Sequence, residues 1–201
     1  MCPNHARQRS LECLAVALLV TVGMPMGEGH ATSAFTTYRS HQPQLPVSFE
    51  YPTGWDAEMS AGKTEAYTQV QLYAPAAVEQ RLRVYLVVRA MPLKASGGRY
   101  ASLDEAVAAY RETLLRTLHI TEERQTTVAG VAARQLAING TLSLPWMSAT
   151  AHAVPVVGGR LFFEKDGRVY ECAWLGTPEL AAQVQTYFDH VLQTLMIASS
   201  S

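Results

Sequence analysis

Ser60-Ala-Gly-Lys63 has the Ser-x-x-Lys spacing of acyl-serine enzymes, in which a serine opening a helix is assisted by a lysine one turn on. Gly62 and the turn-forming residues around it argue against a helix here, and the companion Ser-Asp-Asn and Lys-Thr-Gly elements are missing, since Lys63-Thr64 runs on into Glu65. Cys172 is a candidate thiol nucleophile by type alone. A catalytic cysteine wants a histidine and a polar setting, and Cys172 falls on the apolar face of a strand. His41, His119, His152 and His190 stand apart with no His-x-x-x-His pair, so no metal site is predicted. Glu164 and Glu171 flank a hairpin and read as surface carboxylates rather than as a general acid/base pair. There is no Gly-x-Gly-x-x-Gly pattern and no complete phosphate loop, hence no nucleotide cofactor is expected and none of any other kind is called for. The expectation is a protein without a catalytic grouping.

The chain as a whole bounds what these residues could serve. Its 201 residues allow one well-buried domain plus a leader. A net charge of -1 gives no basic stripe with which to neutralise nucleic-acid phosphates. The opening is set apart by its pattern: Arg7 and Arg9, then an apolar run from Cys13 to Val22, then Gly23 and Pro25, then small residues at Gly29, Ala31, Thr32 and Ala34. That order predicts a secretory signal peptide over residues 1–31, cleaved after Ala31 or after Ala34. The apolar run is shorter than the roughly 20 residues that span a bilayer. Cleavage removes Cys2 and Cys13 and leaves Cys172 alone, so a disulfide within the exported domain is ruled out and its stability must come from its core. The predicted compartment is periplasmic or extracellular, or a thylakoid lumen in a photosynthetic source.

Positioning falls to alternating strands and two helices. Residues 32–46, with Pro43 and Pro46, read as a flexible lead-in, and residues 47–197 as a single domain followed by a tail at 198–201. Val47–Tyr51 alternates like a half-buried strand, and Pro52-Thr-Gly-Trp55 makes a turn. Ala66–Tyr73 is a strand ended by Pro75, and Leu82–Ala90 is another, with Leu82, Val84, Leu86, Val88 and Ala90 on one face and Arg83, Tyr85, Val87 and Arg89 on the other. Ser102-Leu-Asp-Glu105 is a capping box opening a helix whose stripe is Leu103, Val107, Tyr110, Leu114 and Leu118. Arg124–Val128 and Val131–Ile138 are two strands bent at Gly130, with a turn at Asn139-Gly140; Asn139-Gly-Thr141 also forms a glycosylation sequon. His152–Val157 is a strand interrupted by Gly158-Gly159. The strongest local signal follows: strands either side of Asp166-Gly167, a dipeptide suited to a type I′ hairpin, which pairs Lys165 with Arg168, Phe163 with Tyr170 and Leu161 with Cys172. Thr177 and Pro178 then open a helix carrying Leu180, Val184, Tyr187, Phe188, Val191, Leu192 and Leu195 at helical spacing.

Taken in order, Tyr51-Pro-Thr-Gly-Trp55, Ser102-Leu-Asp-Glu105, Phe162-Phe-Glu-Lys-Asp-Gly-Arg-Val-Tyr170 and Tyr187-Phe-Asp-His-Val-Leu-Gln-Thr-Leu195 resemble the PsbP-like domains, over about Val47 to Ile197. The resemblance implies an α/β/α sandwich around a mainly antiparallel sheet of six or seven strands. It also implies an exported accessory, assembly or stabilising factor that binds an envelope or lumenal protein partner, since PsbP proteins support photosystem II in thylakoids. The matched positions are turn and core positions, so no site residue is carried over. A partner surface is expected on the polar side of the hairpin, at Glu164, Lys165, Arg168 and Glu171. The alternative reading is a small ligand-binding protein or hydrolase with a pocket beside Trp55, Trp146 or Trp174.

Overall fold

A computed structural model describes residues 34–62, 66–75, 82–114, 116–144 and 152–198. The predicted leader, Lys63 of the Ser-x-x-Lys spacing and Trp146 lie outside the described residues. Ten strands and two α-helices make up the rest. Phe35–Arg39 (β1), Val47–Pro52 (β2) and Met196–Ile197 (β10) form a small sheet in the order β1-β2-β10. Asp56–Ala61 (β3), Thr68–Tyr73 (β4), Tyr85–Pro92 (β5), Leu118–Val128 (β6), Val131–Leu144 (β7), His152–Lys165 (β8) and Arg168–Gly176 (β9) form a seven-stranded sheet in the order β3-β4-β5-β9-β8-β7-β6. Every strand pair in both sheets is antiparallel.

One helix lies on each face of the large sheet, and the alternation along β8 and β9 decides which residues meet which helix. Leu161, Phe163, Tyr170, Cys172 and Trp174 face away from Leu103–Thr113, toward the side where Ala181–Thr194 (α2) contributes Val184, Phe188 and Val191 and the small sheet contributes Val47 and Phe49. Phe162 and Val169 point the other way, onto Ala106 and Val107 of Leu103–Thr113 (α1). The result is an α/β/α arrangement with two apolar layers. In β9 that double coverage leaves eight of nine residues buried, as a central strand between two helices requires.

The hairpin at Asp166-Gly167 has the predicted register, Lys165 opposite Arg168, Phe163 opposite Tyr170 and Leu161 opposite Cys172. Both loop residues have positive φ, 50° and 71°, the type I′ signature. The capping box also forms: the Ser102 hydroxyl accepts from Glu105 N at 3.3 Å, while the Glu105 carboxylate accepts from Ala101 N at 2.6 Å, one residue earlier than the usual reciprocal bond.

Several sequence expectations are corrected. Phe35–Arg39 is paired strand rather than flexible lead-in: Tyr38 stacks on Phe49 with centroids 5.1 Å apart, and Phe35 stacks on His190 at 3.7 Å. Asn139-Gly140 is the middle of β7 and not a turn. Gly140 is required there because it has φ 149° and a Cβ would collide with the Thr117 carbonyl. β8 runs unbroken through Gly158-Gly159, whose bareness lets Trp174 of β9 approach; added Cβ atoms would lie 2.5 Å from the Trp174 carbonyl oxygen and from its indole nitrogen, respectively. Leu118 belongs to β6, since α1 ends at Thr113. Asp56–Ala61, unassigned from sequence, is an exposed edge strand.

Candidate functional site

The α1 side of the large sheet carries a row of polar residues crossing five strands. Strand register sets it: Ser60 lies opposite Gln69, Gln69 opposite Arg89, and Arg89 opposite Glu171, while Arg160 sits beside Glu171 on β8. Ser60 Oγ accepts from Gln69 Nε2 at 3.1 Å, and Gln69 Oε1 accepts from Arg89 Nε at 2.9 Å. Arg89 Nη1 then donates to Glu171 Oε2 at 3.1 Å, and Arg160 Nη1 donates to Glu171 Oε1. One carboxylate therefore holds two guanidinium groups, one on each oxygen.

Glu171 is 3% exposed. It is not a surface carboxylate, and the predicted partner surface loses it. Its side chain does point away from Phe163 and Tyr170 as expected, but α1 covers that second face, so it is buried and must be paired. Of the other three hairpin residues, the Glu164 carboxylate accepts from Leu103 N at 3.3 Å at the first turn of α1, Lys165 Nζ donates to the Ala129 carbonyl at 3.2 Å, and Arg168 Nη2 reaches the Pro43 carbonyl at 3.4 Å. Glu164 complements the positive end of the helix dipole.

Above the Glu171 triad, between α1 and the sheet, is a cavity of about 380 Å³ lined by Arg89, Arg99, Tyr110, Arg160, Glu171 and Trp174 among others. The Arg160 guanidinium lies over the face of Tyr110, 4.5 Å from its centroid, and that of Arg89 lies over Tyr67 at 4.5 Å. Burial pushes the Tyr110 phenol up, against the opposing pull of Arg160. The cation sits over the ring face, and the hydroxyl is buried with no partner of hydrogen-bond geometry among the described residues.

The other residues singled out from sequence do not gather. Ser60 is on an exposed strand, hydrogen-bonded to Gln69. Cys172 is fully enclosed, and burial pushes its thiol up to about 12, which leaves the thiolate unavailable near neutral pH. His190 Nε2 and Glu50 Oε2 are 2.8 Å apart on the opposite side of the domain. No group of three or more His, Cys, Asp or Glu residues with metal-binding geometry occurs among the described residues. Trp55 packs edge-on against Tyr187 at 5.7 Å beside the core, and Trp174 borders the cavity although its indole lies over Gly159 on the α2 side. Sequence reasoning missed Arg160 and gave Arg89 no role. The available signal was that two arginines and a glutamate alternate inward on strands whose two faces are both covered.

No protein-family model matches the sequence, and no curated protein matches it at a significant level. Among solved structures, the chain is similar to a protein of unknown function from Pseudomonas aeruginosa, with 16% identity, a TM-score of 0.51, and coverage of 83% of this chain and 99% of that one. It is also similar to the cyanobacterial PsbP of Synechocystis sp. PCC 6803, with 12% identity, a TM-score of 0.50, and coverage of 87% of this chain and 100% of that one.

Proposed function

From a chain whose fold is PsbP-like, we propose an exported, non-catalytic accessory domain that works by binding, with a protein of the envelope or of a lumenal compartment as its partner. The observation that carries this reading is the state of the inward-facing reactive groups. The Glu171 carboxylate is committed to two arginines, and the Cys172 thiol is enclosed and held protonated. A turnover site needs a nucleophile or acid within reach of a partner group and of solvent, and these groups are spent on holding the sheet together.

Export rests on the leader pattern of residues 1–31. Cleavage after Ala31 suits the domain, because the Ala34 carbonyl accepts from Thr53 N at 3.1 Å and is retained. No helix among the described residues is long and apolar enough to cross a membrane. We assign the partner surface to the hairpin end, through Glu164, Lys165 and Arg168.

Affinity capture of the protein from its own envelope fraction, followed by mass spectrometry, tests this directly. The expected result is one specific protein, lost when Lys165→Glu and Arg168→Glu are combined, and a mature N-terminus at Thr32. An intact Met1 overturns export, and capture unchanged by the double charge reversal overturns the surface. The small-ligand reading is favoured by a separate observation, the arginine-lined cavity.

A further inference from the structure

The two edges of the seven-stranded sheet, β3 and β6, are built differently. β6 is guarded: its register against β7 shifts at a bulge between Ile120 and Glu122, and Glu122, Glu123 and Arg124 follow in succession. Bulges and runs of charge keep an edge from pairing with another chain. β3 has no bulge and no proline or lysine; its register against β4 is unbroken from Asp56 to Ala61, and all of its residues are exposed. The direction of its peptide groups follows from two hydrogen bonds. Gly62 N donates to the Tyr67 carbonyl at 3.1 Å where the β3–β4 ladder ends, and Ala74 N donates to the Val84 carbonyl at 3.1 Å where the β4–β5 ladder ends. Alternation along an antiparallel ladder then turns the peptide groups of Asp56, Glu58 and Ser60 toward β4 and leaves those of Ala57, Met59 and Ala61 pointing out of the sheet. The side chains of these same three residues lie on the α2 side, since Ala57 is opposite Leu72 and Met59 opposite Val70, both members of that core layer. Met59 is 42% exposed there. The two carboxylates of the strand, Asp56 and Glu58, lie on the other face, where Asp56 is held by Arg83.

We propose that β3 is a dimerisation edge, pairing antiparallel with β3 of a second copy of this chain about a two-fold axis at Met59. Such an axis, perpendicular to the sheet, sets one residue opposite itself, and charge and overlap select which one. With Met59 at the centre, Ala57 lies opposite Ala61 and Glu58 opposite Ser60, so no like charges meet. With Glu58 at the centre two carboxylates face each other, with Ala57 at the centre Asp56 meets Glu58, and a centre at Ser60 overlaps only Met59–Ala61 of the strand. In the Met59 register the outward N–H and C=O of Met59 pair with those of Met59 in the copy, and those of Ala57 with those of Ala61. The two Met59 side chains pack together on the α2 side. The pairing uses none of Glu164, Lys165 and Arg168, so it goes beyond the accessory reading, and either can fail while the other stands.

The experiment is sedimentation velocity of the purified protein from micromolar to near-millimolar concentration, with amide hydrogen exchange measured in parallel. The expected result is a monomer–dimer equilibrium in which exchange at Ala57, Met59 and Ala61 slows as concentration rises, while the amides of β6 do not respond. Met59→Lys and Met59→Glu, at an exposed position, should each weaken the dimer by about tenfold or more, because each sets a charge opposite itself. An equimolar mixture of the two variants should restore it, a signature that only a register centred on this residue gives. Ala57→Pro should also abolish the dimer while leaving the β4 ladder intact, because the N–H it removes points outward. A protein that stays monomeric throughout, a dimer indifferent to Met59→Lys, a mixture that fails to re-form it, or exchange at Ala57, Met59 and Ala61 that does not change with concentration would each overturn the pairing.

Discussion

Glu171 joins two arginines from neighbouring strands in a place where water is largely excluded, so its removal should cost far more than a surface ion pair. Glu171→Gln removes the charge that Arg89 and Arg160 share. The arginines retain some contact with solvent, their side chains being 26% and 23% exposed, which puts the expected loss at roughly 2–4 kcal/mol in urea unfolding. Replacing all three members together by Leu and Met should restore much of that loss, because an apolar set has no unpaired charge to bury. A triple variant as unstable as the single would show that the charges themselves, and not their orphaning, hold the fold.

Cys172 gives a second test at the same scale. Its folded-state pKa is raised from 9.0 to about 12, so between those values the unfolded chain gives up a proton that the folded chain keeps. Stability is therefore intact below pH 9 and declines as pH rises toward 12, by on the order of 1.4 kcal/mol per pKa unit of difference. Tyr38, Tyr110 and Tyr170 are shifted in the same direction, mainly by burial. Urea unfolding at successive alkaline pH values should fall less steeply in Cys172→Ala than in the unsubstituted protein; parallel slopes would refute the assignment.

Among the elements, what could be read from sequence was what is decided locally. The β8–β9 hairpin is specified by Asp166-Gly167 and its flanking alternation, and both register and turn were legible. Asn139-Gly140 looks equally turn-like, yet β7 passes straight through it, because Gly140 is needed where the backbone of Thr117 and Leu118 crosses close by. That reason lies more than twenty positions away in the chain. Glu171 failed in the same way: its direction followed from strand alternation, but its burial depends on α1, packed against the face from elsewhere. The cavity was legible only as a pocket beside Trp174, without its arginines. The β6–β7 turn supplies the element-scale prediction. Ala129 sits at φ 48°, a conformation that costs an alanine about 1 kcal/mol, so Ala129→Gly or Ala129→Asn should raise stability by roughly 0.5–1 kcal/mol. Gly158→Ala should do the reverse, by roughly 2–3 kcal/mol, since its methyl meets the Trp174 carbonyl oxygen at 2.5 Å, and backbone must move. Thermal melts of the two variants in opposite directions from the starting protein are the expected observation.

For the molecule as a whole, β1 ties the start of the described chain to the α2 side. Removing residues up to Ser40 deletes the β1–β2 ladder, the Tyr38–Phe49 stack and the Phe35–His190 stack. The expected cost is about 2–4 kcal/mol, from lost aromatic burial and pairing, read as a lowered urea midpoint. A truncated form as stable as the full chain would return the segment to the role of a loose lead-in.

The small sheet also sets an order of events. β2 stands near the beginning of the domain, yet one of its two neighbours, β10, is contributed by Met196–Ile197 at the other end. During synthesis β2 waits unpaired on that edge until Met196–Ile197 has emerged, and α2, which covers the same side, arrives nearly as late. Contacts of such long sequence separation are slow to form. The arrangement delays closure of the α2 side until residues 181–197 are available.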